Sequence, residues 1–139
     1  MIEENRIIKL ARELGSEIQK EAAYHEYHLA LERNDADDDL QDLIAALNLV
    51  QTNLQRAMDE PEKDTAKIEK YTNELNSTYN EIMSNENMIS YVEKKNYMQE
   101  LLNYIYQIVA ESINGKDPYT IEQSSGCTGN CSTCGGQCG

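Results

Sequence analysis

The chain has no phenylalanine and no tryptophan, and only two prolines among its 139 residues. Without Phe or Trp its core must be built from aliphatic side chains and from tyrosine, of which there are nine. A chain almost free of proline can run in long helices. Basic residues are also few: 12 Lys and Arg stand against 25 Asp and Glu, a net charge of −13. That balance repels phosphate backbones, and the densest basic group is only Lys94-Lys95, so direct nucleic-acid binding is not expected. No apolar run approaches the ~18 residues of a transmembrane helix. The start, Met1-Ile2-Glu3-Glu4-Asn5, lacks the basic and apolar regions of a secretory signal. The expectation is a cytoplasmic protein with reduced thiols and no membrane association. Before Gly126 the only glycines are Gly15 and Gly115, which leaves no phosphate-cradling loop. No GxSxG, HExxH or Cys–His nucleophile pattern is present either. The chain is therefore expected not to be an enzyme.

What is present is helical periodicity. Ile7, Ala11, Leu14, Ile18, Ala22, His25 and Leu29 recur at threes and fours, which predicts a first helix from about Ile2 to Glu32. Asn34-Asp35 breaks it, with Asp35 as the expected cap of the next. A second helix, about Ala36 to Asp59, carries Leu40, Leu43, Leu47, Val50, Leu54 and Ala57 in heptads, widened by Ile44. Pro61 marks a turn. A third helix, about Glu62 to Met83, carries Ile68, Tyr71, Leu75, Thr78 and Ile82, and Ser84 or Asn85 caps the next. The fourth, about Glu86 to Asn114, has two adjacent stripes: Met98, Leu102, Ile105, Val109 and Tyr97, Leu101, Tyr104, Ile108. Such a wide apolar face needs cover on two sides, from neighbouring helices or a second subunit. Gly115 ends the helix and Pro118 follows. The predicted fold is all-α, an antiparallel four-helix bundle or paired helical hairpins. Residues 1–114 form the helical domain, 115–126 a linker reaching roughly 20 Å as a random coil, and 127–139 a flexible cysteine-rich tail.

All four cysteines lie in that tail, as Cys127-x3-Cys131-x2-Cys134-x3-Cys138, among Gly, Ser, Thr and Asn. Nothing there can build an apolar core, so an external organiser is needed. Clustered thiols in a reducing compartment are metal ligands more often than disulfides. A structural zinc site usually separates two C-x2-C knuckles by a longer spacer. Loops of three, two and three residues instead suit a chain wrapped around a compact iron–sulfur cluster, and the first three cysteines have the C-x3-C-x2-C spacing used to hold [4Fe–4S] clusters. Zinc, and a free or disulfide-forming tail, remain the alternatives. His25 and His28 lack the Glu-x-x-His pairing of a di-iron site and are expected to pack or face solvent. Asp35 to Asp39 lack the glycine and terminal glutamate of a calcium loop and read as helix capping.

Several stretches resemble the YlbF/YmcA family of helical regulators. They are Glu13-Leu14-Gly15, the Tyr24/Tyr27/Ala30 run ending at Asn34-Asp35, Ile82-Met83-Ser84-Asn85 with Ile89-Ser90-Tyr91, and Leu101-Leu102-Asn103-x-Ile105-x-x-Ile108-Val109. The resemblance spans nearly all of residues 2–114, and YlbF-type members also end in clustered cysteines. It implies a non-enzymatic subunit that associates with YmcA-like and YaaT-like proteins and carries [4Fe–4S] clusters. It also implies a role as specificity factor for ribonuclease Y in mRNA processing, with effects on competence, biofilm formation and sporulation. The site residues it implies are Cys127, Cys131, Cys134 and Cys138, and the assembly is a homo- or heterodimer. The other readings are an interaction module with a zinc clasp and a small redox or metal carrier.

Overall fold

The computed structural model describes residues 1–124, so the cysteine segment lies outside the described residues. Among the described residues the structure is helical throughout: α1 (Arg6–Ile18), α2 (Ala22–Asp35), α3 (Asp38–Asp59), α4 (Thr65–Ser84), α5 (Glu86–Ile113) and a short 3-10 turn, Pro118–Thr120. The chain divides into two units, Met1–Met98 and Gln99–Gly139. No described helix is long and apolar enough to cross a membrane.

The all-α expectation holds, with one correction of count. The single helix predicted from Ile2 to Glu32 is two helices, parted at Gln19–Glu21, where Glu21 is extended (φ −68°, ψ 142°). No Gly or Pro announces this break. Its cause is a change of face. Continuing the α1 stripe would bury His25 and Leu29, yet both are exposed, whereas Ala23, Tyr27, Ala30, Leu31 and Asn34 are covered. One straight helix cannot present both faces to their surroundings, so the chain re-phases between them. The helix also starts later than predicted, because Asn5 caps it by accepting from the Ile7 and Ile8 amides at 2.9 and 3.2 Å.

In the first unit α3 and α4 form the most extensive helix pair and α2 packs on α3. The predicted heptad positions are the covered ones. Leu40 is fully buried, and Ala57 and Ile82 nearly so, with Ala30 joining from α2. Leu43, Ile44, Leu47, Val50, Leu54, Ile68, Tyr71, Leu75 and Thr78 are half-buried between them. The α3–α4 turn differs from expectation. Pro61 lies before the helix, which begins at Thr65 with Asp64 as its cap, accepting from the Lys67 amide at 3.1 Å. Lys67 also reaches back across the turn to Glu60 at 2.9 Å, an exposed pair that adds little.

The cap of α3 is Asp37, not Asp35, which is the last residue of α2. One Asp37 carboxylate oxygen accepts from the Leu40 amide at 3.0 Å. The other accepts from the Asn85 and Asn87 side-chain amides at 3.0 and 2.9 Å. Asn85 in turn caps α5, accepting from the Met88 amide at 3.1 Å. The single-residue α4–α5 junction is thereby bonded to the α2–α3 junction. Alongside, the Asn34 amide donates to the Met88 sulfur at 3.3 Å and the Gln41 amide to the Asn34 carbonyl at 3.0 Å. Further along, Tyr27 of α2 stacks on Tyr91 of α5, 6.0 Å between centroids. Lys94 pairs with Glu26 at 3.0 Å, and Lys95 stands 5.8 Å from the Tyr91 ring centre. Hence α2 lies antiparallel on the N-terminal half of α5.

The Asp37 carboxyl is held below its usual range, first by the Leu40 amide and then by Asn85 and Asn87, all of which donate to the charged form. A depressed folded pKa gives stabilisation that is present above the unfolded value, about 3.9, and lost as pH falls through the folded value. Asp37→Asn keeps a competent cap but removes the charge. The variant is expected to be less stable than the native chain at neutral pH, the two denaturation midpoints converging as pH falls below about 4. A gap that stays constant with pH would show that the carboxylate charge is not what ties the junctions.

Candidate functional site

The second unit is built on the C-terminal half of α5. Gly115 adopts φ +91°, a left-handed conformation that a side chain would disfavour. The Gly115 amide donates to the Ser112 carbonyl at 3.0 Å and the Lys116 amide to the Glu111 carbonyl at 3.1 Å, a Schellman closure that reverses the chain. Pro118 then opens the 3-10 turn, capped by Asp117, whose carboxylate accepts from the Tyr119 amide at 3.0 Å.

After this reversal the chain returns along α5. Ile121 is buried at 7% exposure, and its carbonyl accepts from the Tyr104 hydroxyl at 2.9 Å. Gln107 uses both ends of its amide. Its nitrogen donates to the Glu122 carbonyl at 3.2 Å and to Glu111 at 2.9 Å. Its oxygen accepts from the Ser124 amide and hydroxyl, both at 3.1 Å. Lys116 closes the near end on Glu111 at 2.7 Å, and this ammonium, ahead of Gln107, holds the Glu111 carboxyl below its usual range. Composition alone reads this stretch as a free tether. Its residues 116–124 instead form a strap with side-chain anchors on α5.

The strap ends at Ser124, beside Gln107. Cys127, Cys131, Cys134 and Cys138, the predicted ligand set, follow it and lie outside the described residues. Among the described residues no three His, Cys, Asp or Glu come together in a way that could hold a metal. His25 and His28 are exposed and belong to an aromatic group with Tyr24 and Tyr27, the Tyr24–His28 centroids 4.4 Å apart and the Tyr27–His28 centroids 5.3 Å apart. Burial, and then the neighbouring Tyr91, raise the Tyr27 hydroxyl above its ordinary pKa. Tyr104, Gln107 and Ile121 were not singled out as site residues from sequence. The available signal was a lone apolar Ile121 in a polar stretch just after a glycine–proline reversal.

A helical scaffold with capped junctions and a strap leading to a thiol-rich segment is the build of a regulatory or adaptor protein. Residues 7–114 match the family described as Control of competence regulator ComK, YlbF/YmcA, and the chain belongs to that family. It is thus a member of a family of regulators of competence. No curated protein and no solved structure matches it.

Gln107→Ala removes four strap bonds without touching the helix backbone. Hydrogen exchange at the Ser124 amide is expected to quicken by about tenfold, the equivalent of one or two lost hydrogen bonds, with helicity unchanged. An unaltered Ser124 rate would mean that Gln107 does not hold the strap.

Proposed function

We infer that this chain is a non-enzymatic adaptor of competence control carrying a [4Fe–4S] cluster on Cys127, Cys131, Cys134 and Cys138. It would work in a cytoplasmic complex with YmcA-like and YaaT-like subunits that directs ribonuclease Y in mRNA processing. Family membership supports the regulatory role. The observation that carries the cofactor reading is the strap. The chain is tied to α5 as far as Ser124, so the thiol segment starts from an anchored point rather than from the end of a free linker. Four thiolates are soft donors suited to iron–sulfur or zinc, and the three-two-three spacing with interspersed glycine favours the cluster. A bound cluster would supply one-electron redox chemistry and sensitivity to oxygen and iron supply.

The chain's own part is to turn that chemistry into assembly. Ligation orders a segment that has no core of its own, and the strap delivers that segment to one place on an acidic helical surface. A partner that recognises the ordered segment together with α5 would release when the ligands are lost. Anaerobic reconstitution with iron and sulfide is expected to give a coloured protein with both elements bound. Cys131→Ser and Cys134→Ser should lose the colour and the copurifying subunits while keeping full helicity by circular dichroism. Stoichiometric zinc without sulfide in protein purified without oxygen would replace the cluster with a zinc clasp.

A further inference from the structure

Two apolar stripes stand uncovered. Helix α1 buries no residue and exposes Leu10, Leu14 and Ile7, the last at 74%. The C-terminal half of α5 exposes Leu102, Tyr106, Val109 and Ile113, with Tyr106 at 73% and Ile113 at 80%. Each set follows steps of three and four and so forms a continuous stripe on its helix. Contiguous exposed apolar surface of this kind marks an interaction site, unlike singly scattered residues.

The register of α2 on α5 relates the two stripes. Asn34 meets Met88, Tyr27 meets Tyr91 and Glu26 meets Lys94. Counting outward in equal steps from Glu26–Lys94, Ile18 falls level with Leu102, Leu14 with Tyr106, Ala11 with Val109 and Ile7 with Ile113. The α1 stripe therefore has the length, spacing and antiparallel sense needed to cover the α5 stripe. The joint between α1 and α2 is closed by its own backbone bonds: Gln19 amide to Gly15 carbonyl at 3.2 Å, Lys20 to Glu17 at 3.0 Å and Glu21 to Ile18 at 3.2 Å. Covering α5 within one chain would require opening that joint, whereas a second copy can supply α1 with the joint intact. Charge points the same way. Copies of net charge −13 repel, yet residues 101–110 carry no charge, and α1 brings Arg6, Lys9 and Arg12.

We propose that α1 of one copy docks antiparallel on the Leu102–Ile113 stripe of a second copy, and reciprocally, giving a homodimer that exchanges its first helices. The contact does not involve the cysteines. Light scattering on the full chain under reductant is expected to show twice the 15.8 kDa chain mass. Leu14→Glu and Tyr106→Glu, both at exposed positions, should each weaken the dimer by about 100-fold, through a carboxylate placed in an apolar seam, with helicity retained. A photocrosslinker at position 14 should join differently tagged copies through residues 102–113, and the dimer should persist in Cys131→Ser. The proposal is overturned by a monomeric native chain in the micromolar range, by a dimer indifferent to both glutamates, or by crosslinks confined to single chains. Loss of the dimer in Cys131→Ser would also overturn it, by showing that association runs through the tail, and it would leave the cluster reading standing.

Discussion

The bond set at Asp37 is the constraint on which the first unit depends. A helical hairpin such as α3–α4 can slide and rotate about its seam, because leucine, isoleucine and alanine contacts are non-directional. A carboxylate that caps α3 with one oxygen and receives Asn85 and Asn87 on the other removes that freedom. It fixes the start of α3 against the end of α4 and the start of α5. Fully buried Leu40 lies one turn away from this point, so the apolar core begins where the polar bonds end. Charge-assisted hydrogen bonds are stronger and more directional than neutral ones, which suits them to setting register while burial supplies most of the driving force.

The same division of labour recurs in the second unit on a smaller scale. Ile121 provides the buried contact and Tyr104 and Gln107 provide the direction. A peptide returning over a helix surface has backbone groups that must be satisfied. Here the Ile121 and Glu122 carbonyls and the Ser124 amide are all met by side chains of α5. A segment that composition describes as a linker thus acquires a defined course. For a regulator whose cysteines follow directly, the consequence is a fixed origin for the thiol segment. The apolar face of α5 is left free on the side away from the strap.

Much of this architecture was legible in the sequence. The heptads from Leu40 to Ala57 and the stripe from Ile68 to Ile82 are the covered faces of α3 and α4, because amphipathic periodicity is a local property that survives any arrangement of neighbours. The Gly115 terminator and the Asn85 cap are equally local. Three features were not legible. The split of the first helix follows from two faces burying in different directions, which no residue between Gln19 and Glu21 advertises. The choice of Asp37 over Asp35 as cap depends on Asn85 and Asn87, about fifty positions away. The strap depends on Gln107 and Tyr104, ordinary helix residues until the chain returns to them.

By itself, then, the sequence determined an acidic, all-helical chain of this regulator family, with its apolar faces and its four thiols confined to one terminal stretch. These follow from composition and from periodicities of three and four residues, and each needs only neighbours in the chain. The tertiary structure alone decided which aspartate joins the helix junctions, where the first helix re-phases, how the segment after α5 is anchored and which stripes stay open. Those depend on groups far apart in sequence meeting with hydrogen-bond geometry, and no local pattern encodes that meeting.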